Sequence, residues 1–104
     1  MNALKPPGPV YGRAAKMDIQ DAARWYQYVV SPGVAQNFLA AVEKCVADIC
    51  VYPEAHNIVF LGFRKAIVRG FPYSLFYLYE RGTVRVKAVM HFRRNPEDWK
   101  RRAC

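Results

Sequence analysis

The chain has 104 residues, 53% of them hydrophobic and fifteen aromatic (two Trp, seven Tyr, six Phe), which excludes a disordered chain and suffices for one small core. The formal net charge of +8 lies in the second half: residues 1–59 hold five Lys/Arg and five Asp/Glu, residues 60–104 eleven against three. No apolar run is long enough to span a membrane, and the excess cation points to an anionic partner.

Residues 1–9 read as a flexible Pro/Gly-rich tail, followed by a single domain over residues 10–104. Met1 to Pro9 contains no apolar stretch of a secretory signal, so a cytoplasmic protein is expected. From about Ala14 to Val30, apolar residues at Ala15, Ile19, Ala22, Ala23, Tyr26, Val29 and Val30 follow the spacing of one buried helical face. Ser31-Pro32-Gly33 ends that helix and begins another, with serine as N-cap and proline at the first helical position. The second stripe is Val34, Phe38, Ala41, Val42, Cys45, Val46 and Ile49, and it stops before Tyr52-Pro53. So short a turn requires the two helices to pack antiparallel.

Beyond Pro53 the period changes from 3.6 to 2, with strand-like runs at about Phe63 to Arg69, Ser74 to Tyr79 and Thr83 to Met90. Arg81-Gly82 is the expected two-residue hairpin turn. In the last run Val84, Val86, Ala88 and Met90 are expected on one buried face, opposite Arg85, Lys87, Val89 and His91. The order predicts an α+β domain: an N-terminal antiparallel helical hairpin packed on a C-terminal antiparallel sheet of three to four strands.

Cys45, Cys50 and Cys104 have neither zinc-site nor CxxC spacing and read as structural thiols, with Cys45 on a helical apolar stripe and Cys104 exposed at the last position. His91 stands near Arg93 and Arg94, where an imidazole could exchange protons. A lone histidine is more often a hydrogen-bonded structural residue, and His56 lies in an expected loop. No metal cluster, Ser/His/Asp order or phosphate-binding glycine loop is visible, so no metal or cofactor is expected. Arg64, Lys65, Arg69, Arg85, Lys87, Arg93, Arg94, Lys100, Arg101 and Arg102, interleaved with Tyr73, Tyr77, Tyr79 and Trp99, have the composition of a nucleic-acid surface. A solvated polar face and a receptor for an acidic peptide share that composition.

Phe71-Pro72-Tyr73-Ser74-Leu75-Phe76-Tyr77, Val84 through His91, and Arg93-Arg94-Asn95-Pro96-Glu97-Asp98-Trp99 together resemble the C-terminal signature of the RelE/ParE toxin superfamily. Asp18-Ile19, Ala22, Trp25-Tyr26, Ala35, Phe38 and Pro53 are similar to the pattern of its ParE-like branch. The resemblance implies the toxin of a type II toxin–antitoxin (plasmid stabilisation) pair, neutralised by a cognate antitoxin in a hetero-oligomer. It also implies the same helical hairpin over an antiparallel sheet.

Within the superfamily, ParE-like members poison DNA gyrase without being nucleases, whereas RelE-like members cut messenger RNA on the ribosome. The ribonucleases carry arginine where this chain has Ser74 and a tyrosine about where Trp99 falls. Serine lacks a fixed cationic fork for transition-state charge, and indole has no hydroxyl. The resemblance therefore favours a non-enzymatic gyrase inhibitor, with Arg64, Lys65, Arg69, Tyr73, Tyr77, Arg93, Arg94 and Trp99 as candidates for target or antitoxin binding. The alternatives are a ribosome-dependent mRNA endonuclease working through Lys65, Arg69, Arg93 and His91, or a non-toxic RNA-binding module. The family's first strand falls on Pro9-Val10-Tyr11-Gly12, so that strand is expected to be short or at an edge.

Overall fold

The computed structural model of the protein describes residues 8–103. The expected tail falls largely on residues outside that range, as does Cys104. Two helices pack on one face of a five-stranded sheet, and a short third helix follows the last strand.

Strand β1 (Val10–Tyr11) leads through Gly12 into helix α1 (Arg13–Val29). The Gly12 N–H donates to the Val86 carbonyl at 2.9 Å. A Cβ on Gly12 would lie 3.2 Å from that oxygen, so the close approach calls for glycine. Helix α1 buries Ala15, Ala22 and Tyr26. The predicted stripe overran the core at its end: Val29 is 60% and Val30 54% exposed, because α1 ends beside the turn rather than over the sheet.

Helix α2 (Pro32–Val51) begins as expected, with Ser31 Oγ accepting the Val34 N–H at 3.2 Å and proline in the first turn. It buries Ala35, Phe38, Val42, Val46 and Ile49. The rings of Tyr26, Phe38, Phe71 and Tyr73 interlock at centroid distances of 5.1–6.3 Å and tie the hairpin to the sheet.

Four strands form an antiparallel meander: β2 (Ile58–Phe60), β3 (Phe63–Val68), β4 (Tyr73–Glu80) and β5 (Thr83–His91). The sheet order is β1-β5-β4-β3-β2. Strand β1 is short, lies at the edge and runs parallel to β5, pairing Val10 with Arg85 and Tyr11 with Val86. Strand β2 raises the count above the expected three to four. The Arg81-Gly82 turn has both residues at positive φ, +53° and +75°, as a two-residue hairpin turn requires.

The predicted faces of β5 need correction. Phe76 pairs with Ala88 but Tyr77 pairs with Val86, so Lys87 is an extra residue, a bulge. The alternation changes phase there. Val84, Val86 and Val89 join the core under the helices with Leu75 and Tyr77, while Ala88 and Met90 cross to the open face with Phe63 and Phe76. The open face is therefore partly apolar, not the purely cationic face that strict alternation implies.

Helix α3 (Pro96–Ala103) also went unpredicted. Its start was written in the sequence: Asn95 Oδ1 accepts the Glu97 N–H at 3.0 Å, proline follows, and Glu97 and Asp98 occupy the first turn. Helix α3 lies against the open face, with Lys100 Nζ 5.3 Å from the centre of the Phe60 ring.

Candidate functional site

The open face carries a hollow of about 300 Å³. Phe76 and Met90 form its floor, and both belong to the small apolar cluster that the bulge creates. Ser74, 5% exposed and buried between Ile67 and Met90 on the neighbouring strands, contributes the polar wall. Lys65 from β3, Arg94 from the β5–α3 connection and Lys100 from α3 stand around it. Arg94 Nε lies 3.2 Å from Asp98 Oδ2, and Lys100 Nζ 3.6 Å from Glu97 Oε1. These are exposed pairs within the α3 region, worth little energetically and easily exchanged for another anion.

His91 stands at the rim of this hollow and also borders the groove between α1 and the end of β5. Its Nδ1 accepts the Arg93 N–H at 3.0 Å, which leaves Nε2 to carry the proton of the neutral ring. Its ring meets Tyr73 edge-on at 5.2 Å. Burial, and secondarily Tyr26, pushes the Tyr73 phenol above its ordinary value, so it is a neutral hydrogen-bonding group at physiological pH. Trp25, half-exposed on α1, extends this surface, and Asp18 and Asp21 bring carboxylates to the same groove. Asp18 Oδ2 accepts the Val89 N–H at 3.0 Å, satisfying β5 where β1 no longer covers its edge.

The comparisons with known proteins bear on this geometry. Residues 10–96 match the family described as the ParE toxin of the type II toxin–antitoxin system parDE. The chain belongs to the ParE toxin family. A solved structure titled "Chromosomal ParDE TA system from P. aeruginosa" superimposes with a TM-score of 0.63 at 15% identity, covering 83% of this chain and 96% of that one. That likeness speaks for the fold. No curated protein matches the sequence.

Among the residues expected to bind target or antitoxin, this ParE toxin brings Lys65, Tyr73 and Arg94 around His91. Arg93 is exposed on the same connection. Arg69 lies elsewhere, in a hollow of about 370 Å³ between α2 and the outer edge of β3, with Lys44, Asp48 and His56. Of two further expected contact residues, Tyr77 is interior and Arg64 partly buried. Tyr77 has no accessible surface, and its hydroxyl donates to the Pro53 carbonyl at 2.7 Å. Arg64 Nη1 donates to the carbonyls of Glu54 and His56 at 3.0 and 2.6 Å. Together they fasten the loop between α2 and β2. The backbone of Trp99 is in α3, but its side chain lies outside the described residues.

Lys100 and Phe92, which complete the hollow, went unremarked as a pair because only the bulge and α3 bring them over the same face. Burial pushes the Cys45 thiol up to about 11, as befits a small core hydrophobe, and its Sγ lies 3.7 Å from the Ile67 carbonyl. Among the described residues no group of three His, Cys, Asp or Glu could hold a metal, and no helix is long and apolar enough to cross a membrane.

Proposed function

We propose that this chain is the growth-inhibiting toxin of a type II pair, that it acts in the cytoplasm by binding DNA gyrase, and that a cognate antitoxin neutralises it. The observation that carries this reading is the ParE family match across residues 10–96. The open-face hollow supports the non-nuclease branch. Its wall at the position where related ribonucleases place an arginine is Ser74, which is small, neutral and buried. Phosphodiester cleavage would have to proceed without a guanidinium at that strand position, Arg94 reaching the hollow from the β5–α3 connection instead.

The target contact is proposed along the exposed cations Lys65, Arg93 and Arg94 and the neighbouring Tyr73, with Trp99 in the same segment and Arg69 at the opposite edge. Their charge favours an anionic surface and makes association salt-dependent. The antitoxin is proposed to cover exposed apolar surface. Trp25, Tyr28, Val29 and Val30 at the hairpin turn and Ile58, Val59 and Leu61 at the β2 edge offer places for a helix or an added strand.

The test is inducible expression in bacteria with labelled thymidine and amino acids followed over the first minutes, then a supercoiling assay with purified protein. Early loss of thymidine incorporation and inhibited supercoiling support the reading. Early loss of amino-acid incorporation transfers support to the ribosome-dependent ribonuclease, for which Lys65 and His91 at one rim are the favouring geometry. An Arg93→Ala, Arg94→Ala double variant that kept full toxicity and antitoxin binding would remove the basic connection from the contact surface.

A further inference from the structure

We propose that His91 is a proton-operated latch on the connection between β5 and α3: the neutral ring holds the connection in its present course, and protonation releases it, the ring turning toward the carboxylates of α1. The latch belongs to the folded chain alone and holds whichever macromolecule the toxin inhibits.

Three hydrogen bonds set the course of the chain as it leaves β5. The Phe92 N–H donates to the Pro72 carbonyl at 2.9 Å, the Arg94 N–H to the His91 carbonyl at 2.9 Å, and the Arg93 N–H to His91 Nδ1 at 3.0 Å. The third is the bond that an asparagine or aspartate side chain ordinarily makes to the backbone two residues on, here made by an imidazole. It differs from the other two in depending on charge. Nδ1 accepts only while it holds a lone pair, and in the imidazolium ion both ring nitrogens are donors. A charged ring therefore takes the acceptor away and sets one N–H against another. Histidine is the side chain that makes this change between about pH 5 and 8.

The surroundings offer the charged ring a second position. His91 borders a hollow of about 230 Å³ whose other walls include Asp18, Asp21, Trp25 and Arg94. Asp21 lies 3.8 Å from Arg24 in an exposed pair, a weak claim on its carboxylate. Asp18 Oδ2 holds the Val89 N–H and adds a second negative charge. Arg94 opposes them, but its Nε lies 3.2 Å from Asp98 Oδ2. Tyr73, edge-on to the ring at 5.2 Å, and Tyr26, across a further hollow, stay neutral because burial raises both phenols. Lys65 and Lys100 stand beyond the opposite side of the sheet and repel a positive ring toward α1. The exposed Arg93 and Arg94 ride on the connection, so their present spacing is a property of the neutral ring.

The experiment is nuclear magnetic resonance of the nitrogen-15-labelled protein from about pH 8 to about pH 5, following the His91 ring nitrogens and the hydrogen exchange of the Arg93 amide relative to its intrinsic rate. At the upper end the proton should sit on Nε2 alone. As the ring takes up its second proton, the Arg93 amide signal should move with the same midpoint and its protection should fall about fivefold, the worth of one ordinary hydrogen bond. The Phe92 amide should keep its protection. His91→Asn leaves an acceptor in place without a titrating group, so its Arg93 amide should stay protected across the range. Asp21→Asn removes an attracting carboxylate and should move the midpoint of the His91 ring to lower pH. An Arg93 amide that ignores the ring's titration, a proton on Nδ1 at the upper end, the same pH-dependent loss in His91→Asn, or a midpoint that Asp21→Asn leaves in place would each overturn the proposal.

Discussion

The two faces of the sheet bury apolar side chains in different ways. Under α1 and α2, Phe38, Tyr26, Leu75, Val86 and their neighbours form one continuous core sealed by two long helices. On the other side Phe63, Phe76, Ala88 and Met90 form a small cluster that the short, charged α3 covers in part, leaving the cation-rimmed hollow. One face holds the fold together, and the other exposes both apolar and cationic surface from the same strands. The two sides of a single sheet thus differ in how completely they are covered, and the bulge at Lys87 is what supplies the second side with apolar residues.

The sharpest way to break this comparison is to remove the same aromatic from each face. Phe38→Ala should cost about 4–5 kcal/mol in denaturant unfolding, because a ring that touches Tyr26, Phe71 and Tyr73 leaves a cavity that two helices cannot collapse around. Phe76→Ala should cost nearer ~3 kcal/mol, since the partly open hollow beside it lets solvent and neighbouring side chains relax. Equal losses would mean that the open face is as much a core as the other.

Tyr77→Phe comes next, at about 1–3 kcal/mol, because the Pro53 carbonyl loses its donor. The same residue shapes the alkaline limit. Burial raises the Tyr77 phenol above its ordinary 10.0 against the lowering pull of Arg64, and raises the Cys45 thiol from 9.0 to about 11. In the folded chain both groups keep their protons at pH values where the unfolded chain has begun to lose them, so the unfolded state binds fewer protons. Stability from this source is intact below pH 9.0 and falls as pH rises, first through Cys45 and above pH 10.0 through the tyrosines. Melting temperature against pH should show that decline, and Tyr77→Phe should make it shallower above pH 10.0.

Ser31→Ala should cost about 1 kcal/mol in denaturant unfolding by removing the cap on α2. The smallest effect expected is from deleting Lys87. Val86, Ala88, Val89 and Met90 would then alternate regularly with their present faces kept, so the melting temperature should move less than for Ser31→Ala. A collapse of the fold on that deletion would show that the local twist of the bulge, and not face assignment alone, holds β5 in place.

Both helices of the hairpin were legible because their apolar periods are long and Ser31-Pro32 marks the boundary chemically. Strands β3 to β5 were legible from alternation and from Arg81-Gly82. Strand β2 was not, since three residues hold no period and become a strand only by pairing with β3. The bulge was hidden because the sequence Val86-Lys87-Ala88-Val89-Met90 looks regular when Lys87 is counted as an ordinary outward residue. Helix α3 was readable in Asn95-Pro96-Glu97-Asp98, where cap, proline and acidic first turn coincide. For the site, the cations around His91 could be nominated singly by charge, but their convergence depends on the bulge and on α3. Tyr77 misled because an aromatic among cations has the same composition whether it faces a partner or anchors a loop with its hydroxyl.

Strand β1 has one partner in the sheet, β5, which lies at the other end of the chain: Val10 meets Arg85 and Tyr11 meets Val86. During synthesis the helical hairpin emerges long before that partner exists, and β4 also waits for β5 to complete its pairing. Its most distant contacts therefore form last, near the end of translation. A prematurely terminated chain lacks the strand that links both halves of the sheet, so ribosomes that abort early release a hairpin without the toxin's assembled basic face.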